Sequence, residues 1–265
     1  MVGFLQGRAI PGVEAVSEDV YRRTIEMNGK GGTFEIRPLP DQDCLQLRVT
    51  VPDLDGAIGL VNRARRMFDC GADPRAIGEH LAQDSLLKSL VTRRPGLRLP
   101  SAWDPFEMTV RAILGQQISV AGATTIAGRL VERLGTPLAT RTTGLTHLFP
   151  SPATVARGDL SGLGLTAKRA ATVKNLAAEV ADGRLELDAP LGVEDFVERL
   201  LALPGIGPWT AHYAAMRALG ETDGFPASDL GLKHAAPGVD LASRAETWRP
   251  WRAYAALHLW AGLND

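Results

Sequence analysis

The sequence is short of cysteine. Only two occur in 265 residues, Cys44 and Cys70, too few for a four-cysteine metal site or an iron–sulfur cluster. A reduced, cytoplasmic protein is expected rather than a disulfide framework. A surplus of positive charge is missing too. The 29 Lys and Arg residues stand against 30 Asp and Glu, a net charge of −1. Up to residue 90 there are 11 basic and 13 acidic residues, and beyond it 18 and 17. Bulk charge therefore favours no nucleic-acid partner, and any such partner must be held by locally placed groups. Long apolar runs are absent, which excludes a membrane-spanning helix, and no signal peptide opens the chain. Fixed-period repeats and low-complexity tracts are also lacking. His212, His234 and His258 show no metal-ligand spacing and read as structural or surface residues.

What is present is an ordinary globular composition, 45% hydrophobic and 22% charged. The first eighty residues read as α+β. Tyr21–Ile25 and Thr33–Ile36 flank the turn-forming run Asn28-Gly29-Lys30-Gly31-Gly32, and Cys44–Val51 alternates as a strand should. Helical periodicity follows over 54–68. From about Ala72 nearly everything reads as helix, near 73–82, 84–92, 105–117, 120–134, 152–157, 166–182, 193–202, 208–219 and 250–262. The second half offers hardly any convincing strand.

The most informative stretch is Leu200-Leu201-Ala202-Leu203-Pro204-Gly205-Ile206-Gly207-Pro208-Trp209-Thr210-Ala211. Phe196, Val197, Leu200 and Leu201 form one face of a short helix, and Pro-Gly-Ile-Gly stops it. A second helix starts at once, with Ala211, Ala214, Ala215, Met216 and Leu219 on its apolar side. Glycines leave the amides of such a turn uncovered, so it suits an anion such as a DNA phosphate. A Gly-x-Gly turn alone is equally at home between ordinary helices.

The surrounding residues narrow the reading. The run Leu-Pro-Gly-Ile-Gly-Pro-Trp-Thr-Ala resembles the hairpin of the helix-hairpin-helix DNA glycosylases, in which a Gly/Pro-rich loop ends in a catalytic Asp. Here the loop is 220–228, and Asp229 stands at its end. Three further segments resemble the 3-methyladenine DNA glycosylase II (AlkA-type) branch: Trp248-Arg249-Pro250-Trp251-Arg252 onward to Trp260, Arg94-Pro95-Gly96-Leu97-Arg98-Leu99-Pro100, and Val110 to Gln117. The similarity begins at Gly3-Phe4-Leu5, slightly inside the usual family start. It implies that a leading strand is missing and that the chain is a trimmed form or a piece of a longer polypeptide.

The implied fold is mainly α with a small N-terminal α+β domain. It has an N-terminal domain over 1–80, a helical domain over 105–221 carrying the hairpin, and a second helical domain made of 81–104 plus 222–265. The groove between the helical domains would carry Asp229. A carboxylate there stabilises the oxocarbenium-like sugar or orients the attacking water. By pattern alone Asp229 reads as a helix N-cap rather than a catalytic group, because an apolar helical run follows it; the resemblance reverses that order. The resemblance also implies stacking of a flipped base on Trp209, Trp260, Tyr213 and Phe4, and DNA contact by Gly205, Gly207, Thr210, Gln116 and Gln117. Trp209 occupies the position that holds a Schiff-base Lys in strand-cutting relatives, so no lyase activity is expected. Gln117 stands where the best-known branch has an apolar wedge. Trp248, Trp251 and Arg252 are accounted for by core packing and ion pairs between helices.

The expected activity is therefore monofunctional excision of alkylated bases, such as 3-methyladenine and 7-methylguanine, from duplex DNA by a nucleoid-associated monomer. Neither a cofactor nor a side-chain metal site is expected, although the resemblance allows a monovalent cation on the hairpin carbonyls. Two rival readings remain: a glycosylase of the same fold for deaminated or oxidised purines, and a non-catalytic DNA-binding module of a fused alkylation-response regulator. Asp229 argues against the second, since phosphate binding has no use for a carboxylate.

Overall fold

The computed structural model describes residues 1–142, 144–188 and 192–263. In chain order the elements are α1 (Val2–Gln6), β1 (Glu14–Ser17), β2 (Val20–Met27), β3 (Lys30–Leu39), β4 (Cys44–Thr50), α2 (Ala57–Met67), α3 (Pro74–Leu81), α4 (Lys88–Arg93) and α5 (Pro105–Leu114). They continue with α6 (Val120–Leu134), β5 (Thr136–Thr142), β6 (Leu145–Leu148), α7 (Pro152–Arg157), α8 (Ala167–Ala181) and α9 (Val193–Leu201). The last are α10 (Pro208–Ala214), α11 (Leu230–Ala235), α12 (Leu241–Arg244) and α13 (Arg252–Gly262). By contacts the chain divides into two compact units, Met1–Val61 with Val110–Leu185, and Asn62–Thr109 with Glu186–Asp265. The described part of the C-terminal segment ends at Leu263.

The first unit contains an antiparallel meander, β1-β2-β3-β4. Alternation puts Tyr21 and Ile25 of β2 on one buried face, opposite Ile36 and Gly32 of β3. Gly32 is required there, because a Cβ would lie 2.6 Å from the Thr50 carbonyl oxygen of β4. Behind the sheet the Glu14 carboxylate accepts from the Tyr21 hydroxyl (2.6 Å), the Ile10 amide (2.9 Å) and Arg111 of α5 (2.8 Å). Burial alone would raise this carboxyl. The Arg111 and Arg23 guanidiniums, with the two hydrogen bonds, hold it below the ordinary value instead. A β5–β6 hairpin also belongs to this unit, contrary to the expectation of hardly any strand in the second half. Its apolar residues Leu138, Leu145 and Leu148 pack with Ala15. That stabilisation comes from a distant part of the chain and leaves no period-2 signal inside the hairpin.

The second unit is helical, with Leu81, Leu87, Leu99, Met216, Trp248 and Tyr254 among its core residues. Asp84 accepts from Arg244 (2.6 Å), the Trp248 indole (2.8 Å) and the Leu86 amide (2.7 Å). Arg252 pairs with Asp223 and Glu246, and Trp251 meets His80 edge-on with ring centroids 5.0 Å apart. Trp248, Trp251 and Arg252 are thus packing and pairing residues, as their pattern implied. Expected helix 208–219 is α-helical only to Ala214 and widens into a π turn over Ala215–Leu219. The helix expected over 105–117 stops at Leu114. Among the described residues no helix is long and apolar enough to cross a membrane.

Candidate active site around Asp229

Helix α9 buries Val193, Phe196, Val197 and Leu200, whereas Leu201, expected on the same face, is exposed at its end. The turn closes with Leu203 donating to the Leu200 carbonyl (3.1 Å) and Ile206 donating to that of Leu203 (3.2 Å). Gly205 has φ +89°, a left-handed conformation that favours glycine, and Gly207 caps α10 with Pro208 as its first residue. Gly205 is exposed, and no atom lies within 4 Å of where a Gly207 Cβ would point. The hairpin therefore presents bare backbone outward. Thr210 does not share this position. It is 2% exposed, so its side chain offers a phosphate almost no surface.

After α10 the chain turns through 220–228 to Asp229, which caps α11. Its carboxylate accepts three hydrogen bonds. The Leu232 amide (2.9 Å) and the Trp260 indole Nε1 (2.8 Å) donate to Oδ1, while the Trp209 indole Nε1 (2.7 Å) donates to Oδ2. The N-cap reading and the catalytic reading are therefore not exclusive. One Oδ1 lone pair serves the helix, and the two indoles fix the plane of the group. The half-buried side chain keeps exposed surface.

The aromatic residues assemble around this carboxylate. Tyr213 stacks on Trp209 with centroids 5.0 Å apart and an interplanar angle of 9°, and meets Trp260 edge-on at 6.3 Å. One face of Trp209 is thus already occupied by Tyr213. The indole edge turns to Asp229. Phe4 belongs to the other unit, on α1, and its ring is covered by the Arg8 guanidinium at 3.8 Å. Gln116 and Gln117 also lie in that unit, beyond the end of α5. The Gln116 carbonyl accepts from Arg169, and Gln117 is exposed with φ +56°.

Two residues in this neighbourhood escaped the sequence reading. Gly231 approaches the site so closely that a Cβ would lie 3.0 Å from Asp229 Oδ1 and 3.1 Å from a Trp260 ring carbon. Arg217, 4% exposed, donates to the Tyr213 hydroxyl (3.1 Å) and the Pro100 carbonyl (2.6 Å). Neither carries a motif, because each also depends on a partner distant in sequence, Trp260 for Gly231 and Pro100 for Arg217. Electrostatically the loop before Asp229 is acidic. Burial, and then the charges of Glu194 and Asp223, push the Glu221 carboxyl up, while burial and Arg252 push the His212 imidazole down.

Two helices joined by a glycine hairpin, with a loop that delivers a carboxylate between tryptophans, define a helix-hairpin-helix protein of the base-excision type. The chain belongs to the HhH-GPD superfamily of base excision DNA repair proteins. That family matches residues 110–254, and the AlkA N-terminal domain family matches residues 1–104. A relative from Mycobacterium tuberculosis, named as a probable bifunctional transcriptional activator/DNA repair enzyme AlkA, is 42% identical over 99% of this chain. The chain spans 54% of that relative, about half its length. DNA-3-methyladenine glycosylase 2 of Escherichia coli is 35% identical, with 98% of this chain and 92% of the relative covered. The solved 3-methyladenine DNA glycosylase of Archaeoglobus fulgidus superposes with a TM-score of 0.80 at 22% identity, covering 98% of this chain and 92% of its own. That last likeness shows the fold.

Proposed function

We propose that the protein is a monofunctional DNA glycosylase of the nucleoid that flips alkylated bases such as 3-methyladenine and 7-methylguanine from duplex DNA. It hydrolyses the N-glycosidic bond and leaves an abasic site. The observation that carries this reading is the Asp229 carboxylate, held by two indole N–H groups and a helix amide yet only half-buried. In the reaction the C1′–N bond breaks with its electron pair leaving on the base, and positive charge develops on the deoxyribose. A purine methylated at N3 or N7 is already cationic, so cleavage neutralises it and no proton need be supplied. Asp229 stabilises the sugar cation, and water adds to C1′ and loses a proton. Fixed donors keep the carboxylate aligned, which removes reorganisation from the step. The aromatic faces attract a cationic base by about 0.5–2 kcal/mol each.

The exposed glycine turn at Gly205 and Gly207 serves as the phosphate anchor, contacting backbone without reading sequence. A monovalent cation on the hairpin belongs to the same proposal. The Leu203 and Gly207 carbonyls each accept one amide bond and keep a second lone pair for it. The protein acts as a monomer on double-stranded DNA.

The test is incubation with methylated duplex DNA and identification of the free bases released. Asp229→Asn should lower single-turnover release by about 10²-fold or more, the scale for losing one preorganised electrostatic group, while duplex binding persists. Borohydride present during turnover should trap no covalent adduct, since Trp209 carries no amine. Wild-type release rates in Asp229→Asn would overturn the assignment, and a trapped adduct would overturn the monofunctional label.

A further inference from the structure

The segment Arg94–Pro100 is strapped to the second unit by its own polar groups. Arg98 donates to the Asp69 and Ala72 carbonyls (2.9 and 2.8 Å), and the Leu99 amide donates to Asp69 Oδ2 (2.9 Å). The same Asp69 oxygen accepts from the Tyr254 hydroxyl at 2.8 Å, which ties the strap to α13. Arg217 is clasped to the end of this strap and to Ala102 just beyond it. Its side-chain Nε donates to the Pro100 carbonyl (2.6 Å), and its backbone carbonyl accepts from the Ala102 amide (2.7 Å). It sits in the π turn, a feature that recurs at functional sites.

From Arg217 a short path leads to the carboxylate. Nη1 donates to the Tyr213 hydroxyl at 3.1 Å, and the guanidinium carbon lies 5.7 Å from the Tyr213 ring centroid. Tyr213 lies parallel to Trp209 at 5.0 Å, and the Trp209 indole donates to Asp229 Oδ2 at 2.7 Å. A guanidinium is a rigid fork of donors, and burial makes any lost partner costly, so a buried arginine is a fixed point. Two stacked rings lie in parallel planes, and tilting one forces the other to tilt or lose contact. Holding the Tyr213 hydroxyl therefore restrains the tilt of the Trp209 indole, whose N–H must point at the carboxylate.

We propose that Arg217 is a positioning residue for Asp229, acting through the Tyr213–Trp209 ring pair, with the Arg94–Pro100 strap as its abutment. The proposal rests on the reading of Asp229 as the group that drives base release, and it assigns to the strap a mechanical role in that step. Tyr213→Phe keeps the stacked ring and removes only the acceptor of the guanidinium bond. Arg217→Lys keeps a buried cation and removes the fork.

The test uses the full chain with two readouts. The first is hydrogen exchange of the Trp209 indole N–H, followed by nitrogen-15 labelling of the five tryptophans and assigned with Trp209→Phe. Tyr213→Phe and Arg217→Lys should each speed that exchange by roughly fivefold or more, and slow single-turnover release from methylated duplex by about tenfold, the range for coupled neighbours. Duplex affinity should stay within about twofold, because no phosphate contact is touched. In a Trp209→Phe background neither substitution should slow release further, whereas a merely structural arginine would cost the same factor there. Unchanged indole exchange in both variants would overturn the proposal, as would equal losses with and without the Trp209 indole. A wild-type protein that released no base would instead overturn the proposed function, and the exchange measurement would still decide the positioning.

Discussion

Gly231→Ala isolates the geometry of the carboxylate with one methyl group. The new Cβ would lie 3.0 Å from Asp229 Oδ1, 3.1 Å from Trp260 Cδ1 and 3.2 Å from Trp260 Nε1. It would press on both partners of the 2.8 Å bond between the Trp260 indole and Oδ1. The backbone at 231 is not in the left-handed region, so the main chain accepts alanine. Two effects on stability oppose each other. Crowding in a packed site costs about 1–3 kcal/mol, and replacing glycine inside α11 returns roughly 1 kcal/mol of helix propensity. The fold should survive with a melting temperature lowered by only a few degrees, on the scale of about 1 kcal/mol. Release should suffer more. A hydrogen bond to a charged group contributes about 1.5–3 kcal/mol, so displacing it should slow single-turnover release by about 10- to 100-fold. Trp260→Phe removes the same bond from the other side, and the double variant should lose much less than the product of the two losses. Release within about twofold of wild type in Gly231→Ala would refute the reasoning, as would an equal loss in an Asp229→Asn background.

The remaining predictions address separate parts of the molecule. Burial would raise the Asp84 carboxyl, but its bonds from Arg244, Trp248 and the Leu86 amide hold it down to about 2, from 3.8. A depressed carboxylate stabilises above its unfolded value, so up to about 2 kcal/mol should be lost as pH falls from about 4 toward about 2. Urea unfolding of Asp84→Asn should be weaker at pH 7 and flatter across that window, and an acid transition as steep as wild type would count against the assignment. Gly207→Asp should fold normally, since φ is −102° and nothing lies within 4 Å of the new Cβ. It should weaken binding to all duplexes alike, and a defect confined to lesion-bearing DNA would show that the hairpin is not a phosphate anchor. Gln117→Gly should leave stability unchanged or slightly raised, because φ +56° costs a non-glycine residue about 1 kcal/mol. It should slow excision in well-paired duplex more than at a mismatch, whereas Gln117→Leu restores much of the rate. Excision by Gln117→Gly indistinguishable from wild type on every duplex would show that the residue merely ends its turn.

Much of this protein is legible in the order of its residues, because the relevant forces act over a few positions. Helix α9, the Pro-Gly-Ile-Gly stop and the start of α10 follow from apolar spacing and backbone freedom within about fifteen residues. The alternating β4 strand is legible for the same reason, whereas the candidate carboxylate at Asp229 and the missing amine at Trp209 are legible only through the family resemblance. Tertiary structure decided the rest. The bonds from Trp209 and Trp260 to Asp229 span 20 and 31 residues, and the Arg217–Pro100 bond spans 117. No local pattern encodes a contact of that separation. Tertiary structure gave two rings expected to stack on a base a further role as donors that align a carboxylate, buried Thr210, and made Gly231 a necessity of close approach. The β5–β6 hairpin escaped the pattern for a related reason, since its apolar residues are buried against Ala15 from the start of the chain. Sequence determines which groups are available; packing decides which edge of each one meets the others.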